Sequence, residues 1–194
     1  MIVLGLDIST SNVGYSLVES GSPQRHRLIK ANSISIQKVS GLYDKAAYTR
    51  DILIKECEGI EIDAVVIEES LKSFMKRRSS AGVLALLNRF NGIISFIMRD
   101  TLKVPVHFVN STSARKKVGL VIDKEKDTKE QIFEWARNQS LMSNYVWPTK
   151  NLKSGPRVGQ TIYESYCYDI SDSLVMSVWA CENLKIKDLD NTIC

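Results

Sequence analysis

Histidine is nearly absent from this 194-residue sequence: there are two, His26 and His107, beside four cysteines, Cys57, Cys167, Cys181 and Cys194. No C-x-x-C pair occurs and histidines are only two, which argues against a zinc cage. Four scattered thiols in so long a chain do not form a disulfide framework and are expected to be reduced and packed as small hydrophobes. No apolar run approaches the length needed to span a bilayer, so no membrane partner is expected. The opening Met1-Ile-Val-Leu-Gly-Leu-Asp7 has no basic lead and reads as a buried strand rather than a targeting segment, which predicts an intracellular protein. There is no low-complexity segment, no internal repeat and no strong excess of one charge. The net charge of +4 is compatible with a polyanionic partner without requiring one.

What is present is a soluble, core-rich composition, 44% hydrophobic and 25% charged, sized for one domain. Ile2–Asp7, Val13–Val18 and Leu28–Ile36 read as three closely spaced strands, an antiparallel meander. Val39–Cys57 carries Leu42, Ala46, Ile52 and Leu53 at helical spacing. Ala64–Ile67 is a short apolar strand, Gly82–Leu102 an apolar helix, and Val104–Val109 a fifth strand. Asn110-Ser-Thr-Ser113 offers caps for a short basic helix at Ala114–Val118, and Asp127 or Thr128 caps another running to about Asn138. A loop-like stretch from Ser140 to Gly159 follows, part of an insertion at about 140–167, and a last helix runs from about Tyr168 to Leu184. A meander followed by strand–helix–strand crossovers predicts one α/β domain over 1–194: a mixed five-stranded sheet with helices on both faces.

The acids fall in a pattern. Asp7 ends the first strand, Glu68 ends the fourth, and Asp169 and Asp172 stand three apart on one face of the last helix. Each has an ordinary explanation when taken singly: a turn residue, a helix cap, a favourable charge at a helix start. Their joint placement is less ordinary. If strands one and four are parallel neighbours, four carboxylates converge at one sheet edge and repel unless a cation sits among them. Hard ions such as Mg²⁺ suit such ligands, and two ions roughly 4 Å apart are suited to phosphodiester cleavage.

These residues resemble a known family, the RuvC-type Holliday-junction resolvases. Leu4-Gly-Leu-Asp7-Ile-Ser-Thr-Ser-Asn-Val-Gly14-Tyr is similar to that family's opening, Ala64-Val-Val-Ile-Glu68-Glu to its second acidic strand, and Tyr168-Asp169-Ile-Ser-Asp172-Ser-Leu-Val to its C-terminal D-x-x-D helix. The resemblance implies an RNase H-like fold and a magnesium-dependent endodeoxyribonuclease, with two Mg²⁺ per site and Mn²⁺ able to substitute. It makes Asp7, Glu68, Asp169 and Asp172 the metal ligands, with Lys129 assisting near the scissile bond and Lys116 and Lys117 contacting phosphate. It further implies a homodimer acting on branched DNA, with the helix Gly82–Leu102 as the interface. Ile8-Ser9 stands where the bacterial pattern has Pro-Gly, and Leu71 where it has an aromatic, with Phe74 three further on. These departures point to a divergent branch, viral or organellar, working in the cytoplasm of a bacterium or infected cell, or in an organelle or nucleus.

Three basic groups follow elements that end near the acids: Lys72, Lys76, Arg77 and Arg78; Arg115, Lys116 and Lys117; and Lys150, Lys153 and Arg157. They are candidates to hold backbone phosphates, and Phe74 to wedge between bases; a solvated surface and a core aromatic are the plainer readings. Trp147, beside Tyr145 and Pro148, either stacks on DNA or pins its loop. The rival functions are an RNase H-like nuclease acting on another nucleic acid such as an RNA–DNA hybrid, and a non-catalytic junction-binding scaffold. The Ser/Thr-rich turn after Asp7 also resembles the phosphate loop of actin-like ATPases, but no second Gly-rich loop is present.

Overall fold

The computed structural model describes residues 1–21, 25–69 and 81–185. The first three strands, β1 (Ile2–Ile8), β2 (Asn12–Glu19) and β3 (Arg27–Ser35), form the expected meander. The β1–β2 turn is closed by Ser9, whose Oγ accepts from the Asn12 amide at 3.0 Å and donates to its carbonyl at 2.8 Å. Helix α1 (Leu42–Glu56) crosses to β4 (Ala64–Glu68), and α2 (Ala81–Leu102) leads to β5 (Val106–Val109). The sheet order is β3-β2-β1-β4-β5; β1 pairs with β4, and β4 with β5, in parallel. The predicted mixed five-stranded sheet is therefore the observed one.

Period-two alternation sorts the central strands onto two faces. Leu4, Leu6, Ile8, Val65 and Ile67 point to one core with Leu53 of α1 and Phe90, Ile94 and Met98 of α2. Val3 and Val66 point to the other, with residues of α3 (Ser111–Lys117), α4 (Thr128–Arg137) and α5 (Cys167–Asn183). Both faces of β1 and β4 are covered, so these strands read as continuous apolar runs until their acids. Asn110 caps α3 by accepting from the Ser113 amide at 3.1 Å. Asp127, one of the two expected caps, accepts from the Lys129 and Glu130 amides at 2.8 and 3.0 Å and so starts α4.

Some expectations change. Helix α1 starts at Leu42, after Gly41 at φ 82°, and β5 starts at Val106, after Pro105, which has no N–H to donate. The stretch 140–167 is structured: a 3₁₀ turn at Ser140–Met142 and a hairpin of β6 (Thr149–Asn151) and β7 (Thr161–Tyr163). Three-residue, solvent-facing strands carry no apolar alternation, so the sequence pattern left them invisible. Helix α2 is, contrary to expectation, long and apolar enough by length and composition to cross a membrane. Asn88, Arg89, Asn91 and Ser95 interrupt its apolar run, which hid this in the sequence. Phe90, Ile94 and Met98 pack that helix into the first core.

Helix α5 lies closer to the sheet than side chains permit. A Cβ on Gly5 would stand 2.4 Å from the Ser173 carbonyl oxygen, and one on Gly14 would stand 2.1 Å from that of Asp169. At the Gly5 end of this contact, Ser16, the cross-strand partner of Gly5, and Ser177 share a hydrogen bond between their Oγ atoms of 2.7 Å. Gly5→Ala is therefore expected to lower unfolding stability by about 3 kcal/mol, because backbone cannot yield as a side chain does. Urea denaturation checks this, with Gly92→Ala, where nothing lies within 4 Å, as the tolerated comparison.

Candidate nuclease centre

The sheet register brings the acids together. Ser33 of β3 pairs with Gly14 of β2, and Gly14 with Asp7 of β1. The last paired couple of β1 and β4 is Leu6 and Ile67, so Asp7 and Glu68 stand side by side one step further on. Ser33, Gly14, Asp7 and Glu68 thus form one row across four strands. Alternation turns that row to the face covered by α5. Because Gly14 has no side chain, the first turn of α5 rests on it, and Asp169 is delivered over the row. Ser33 Oγ donates to Asp169 Oδ2 at 3.5 Å. Asp172, one turn on, is almost fully buried.

The four carboxylates lie in one electrostatic field. Burial raises Asp7 well above the ordinary carboxylate value, and repulsion from Asp172, Glu68 and Asp169 raises it further, against the pull of Lys129. Asp172 is raised by burial and drawn back by Arg115 and Lys129. Glu68 is raised by burial and Asp172, while a hydrogen bond from Ser111 lowers it. Asp169 is raised by burial and Asp172 against Lys129, Ser33 and Asn12. Three of the acids therefore feel Lys129, an exposed residue in the first turn of α4 whose Nζ lies 5.9 Å from the Tyr168 ring centroid.

Arg115 departs from its expected place on a phosphate-binding surface. Its Nη2 donates to Asp172 Oδ1 at 3.0 Å, with only 19% of its side chain exposed and 13% of that of Asp172. The pairing follows from α3 packing against α5, with Ala114 buried between them. Lys116 and Lys117, on the outer face of α3, are exposed as expected. Lys72, Phe74, Lys76, Arg77 and Arg78 lie outside the described residues. Sequence reasoning missed Ser111 and Asn91, whose Nδ2 donates to the Glu68 carbonyl at 3.1 Å. It also missed Ser33, which only the β2–β3 register reveals. Trp147 pins its loop: its ring meets Phe133 edge-on at 4.9 Å and Tyr145 at 4.9 Å.

The donor set suits a hard divalent cation: all carboxylate, repelling one another, and held on strands and a seated helix. Among the described residues, no three His, Cys, Asp or Glu side chains already close on one point, and one oxygen of Asp172 is held by Arg115.

Comparison with solved structures agrees with this fold. Thermus thermophilus RuvC superposes with a TM-score of 0.60 over 92% of each chain at 14% identity. The same protein in complex with Holliday junction substrate gives 0.61 over 92% of this chain and 91% of that one, at 14% identity. The yeast mitochondrial Holliday junction resolvase Ydc2 gives 0.59 over 96% of this chain and 80% of that one, again at 14% identity. No protein-family model matches the sequence, and no curated protein matches it. The chain shares the RNase H-like fold of these structures.

An acid whose folded pKa is raised binds its proton more readily in the native state, so that state loses stability as pH climbs from the unfolded value through the folded one. Above that window, charged Asp7 is a standing cost. In EDTA at pH 8, Asp7→Asn should therefore melt higher than wild type, by roughly 2–4 °C for each kcal/mol of relieved repulsion, and the gain should vanish near pH 3. Arg115→Met should do the opposite, costing about 2 kcal/mol by leaving Asp172 without its partner. Thermal melts of both variants across pH check the two signs together.

Proposed function

We propose that this protein is a structure-selective endonuclease that resolves four-way and related branched DNA junctions by metal-dependent hydrolysis of phosphodiesters. The observation that carries the reading is the row Asp7–Glu68 with Asp169 and Asp172 seated above it, on a fold shared with RuvC. Asp7, Glu68, Asp169 and Asp172 would hold the ions, two Mg²⁺ per site with Mn²⁺ as a substitute. Bound there, the ions supply an activated water and charge stabilisation for the leaving oxygen.

The chain's own residues account for the rest. Asp7 stands in the row between Gly14 and Glu68, and the other three acids all raise it. Lys129 stands at the solvent edge, where its ammonium can meet a scissile phosphate while offsetting the carboxylates beneath. Lys116 and Lys117 are exposed on α3 and suited to positioning backbone phosphates. A four-way junction has two symmetric cut points, which a twofold homodimer matches. The outer surface of α2 supports that assembly: Phe96 is 70% exposed and Tyr43 of α1 77%, beside a groove lined by Leu42, Leu86 and Ile93 together with Asn88 and Arg89. Such a substrate puts the protein's work in recombination, repair or the processing of replicated genomes, in the cytoplasm of a bacterium or infected cell, or in an organelle or nucleus.

Labelled four-way junction, three-way junction, linear duplex and RNA–DNA hybrid, each with and without Mg²⁺, separate the readings. Paired symmetric nicks in the four-way junction are expected only with the metal. Asp7→Asn should bind the junction normally and cut at background rate. Cleavage of the hybrid alone would mark an RNase H-type substrate, and tight binding with no cutting a scaffold. Phe96→Glu combined with Tyr43→Glu should convert the dimer to monomer in sedimentation and turn paired nicks into single ones.

A further inference from the structure

We propose that the β6–β7 hairpin is a separate clamp for a DNA arm, with Lys153 and Arg157 at its tip holding duplex phosphates outside the cutting centre. The inference rests on the endonuclease reading. It begins from an asymmetry of charge: residues 135–163 contain no acid, yet include Arg137, Lys150, Lys153 and Arg157. Residues 153–161 are exposed without interruption, so the tip buries nothing and adds nothing to the core. The tip is nevertheless ordered by its own backbone. Leu152 and Gln160 are joined at 2.9 Å, Gly159 and Leu152 at 2.8 Å, and Val158 and Gly155 at 3.1 Å. Gly155 and Gly159, at φ 85° and 84°, supply the left-handed turns this requires.

The base of the hairpin is rigidly mounted. Tyr163 meets Phe133 of α4 edge-on at 4.9 Å, and Arg137 stacks over Tyr163 at 5.0 Å. Lys150 is tied to Glu164 at 2.8 Å, which leaves Lys153 and Arg157 as the outward cations. The mount reaches the cutting centre, because Phe133 also meets Tyr168, the residue before Asp169, at 5.8 Å. A projecting, hydrogen-bonded, acid-free hairpin fixed to the same helix as Lys129 suits a polyanion that extends away from the cleavage point. A junction arm is such a polyanion, and phosphate contacts would set its direction without reading its sequence.

The test is the salt dependence of binding, measured in EDTA with labelled four-way junction and linear duplex. Lys153→Gln combined with Arg157→Gln should melt like wild type. Its junction affinity should fall about tenfold at 0.1 M salt, and its slope of log K against log salt should be shallower by about 2, one for each lost phosphate contact. Lys153→Arg should retain wild-type binding. Equal affinity and equal slope in the double variant, with wild type binding the junction, would overturn the clamp alone. Failure of wild type to bind any of these DNAs would overturn the clamp and the endonuclease reading together. If the double variant instead binds normally but no longer forms a dimer, the hairpin is a subunit contact and the clamp is again refuted.

Discussion

The closeness of α5 to the sheet is the constraint on which the rest depends. A helix packed through large side chains stands 8–10 Å from its neighbour and can slide by a rotamer change. Here Ser173 and Asp169 of α5 rest on Gly5 and Gly14, and the contact is backbone against backbone. Backbone has no rotamers to adjust. Asp169 and Asp172 are thereby fixed relative to Asp7 and Glu68 by the fold itself rather than by flexible arms. Two carboxylates come from strands and two from one helical face, so the centre needs only that the helix be seated in one register. The Ser16–Ser177 hydrogen bond adds to that register: a slip would strip the buried Ser16 hydroxyl of this partner, whereas Ser177 keeps the Ser173 and Leu174 carbonyls as acceptors.

A site built this way carries an electrostatic cost. Burial raises all four acids, repulsion from neighbouring carboxylates adds to it at Asp7, Glu68 and Asp169, and hydrogen bonds from Ser33, Asn12 and Ser111 return only part of that. Arg115 and Lys129 supply the opposing charge. The two differ in burial: Arg115 is enclosed and paired with Asp172, whereas Lys129 is exposed and acts on three acids at once. An enclosed guanidinium in a fixed pair is a structural counterion; an exposed ammonium at the rim is free to meet an incoming phosphate.

Much of this was legible in the sequence. The meander, the two crossovers and the four acids follow from apolar periodicity and from where charge interrupts it, as at Asp7 after Leu4-Gly-Leu6 and Glu68 after Val65-Val-Ile67. The sequence leaves the parallel pairing of β1 with β4 as a condition, and the sheet register meets it. What remained hidden depends on distant contacts. Nothing local to Arg115 distinguishes it from Lys116 and Lys117; only the packing of Ala114 under α5 turns it inward. Ser33 enters the site through the β2–β3 register, and Asn91 through the face that α2 presents to β4. The hairpin escaped notice because its strands bury almost nothing, and burial is the signal that periodicity reads.

Burial also orders the cations by the distance at which they can act. Arg115 is closed in and neutralises the protein's own charge. Lys129 stands at the rim, within the field of the acids yet open to solvent. Lys116, Lys117, Lys153 and Arg157 are exposed, and the last two sit at the end of a projecting hairpin. A polyanion approaching from solvent would meet these in reverse order. The outer cations would attract and orient it at little desolvation cost, while Arg115 is already paired with Asp172. On the proposed reading that separation would let affinity and chemistry vary independently: changing an outer cation would alter how tightly DNA is held, whereas changing Arg115 would alter the carboxylates themselves. The aromatic chain from Tyr163 through Phe133 to Tyr168 joins the two regions, so an arm clamped at the hairpin as proposed would be held in a fixed direction relative to Asp169.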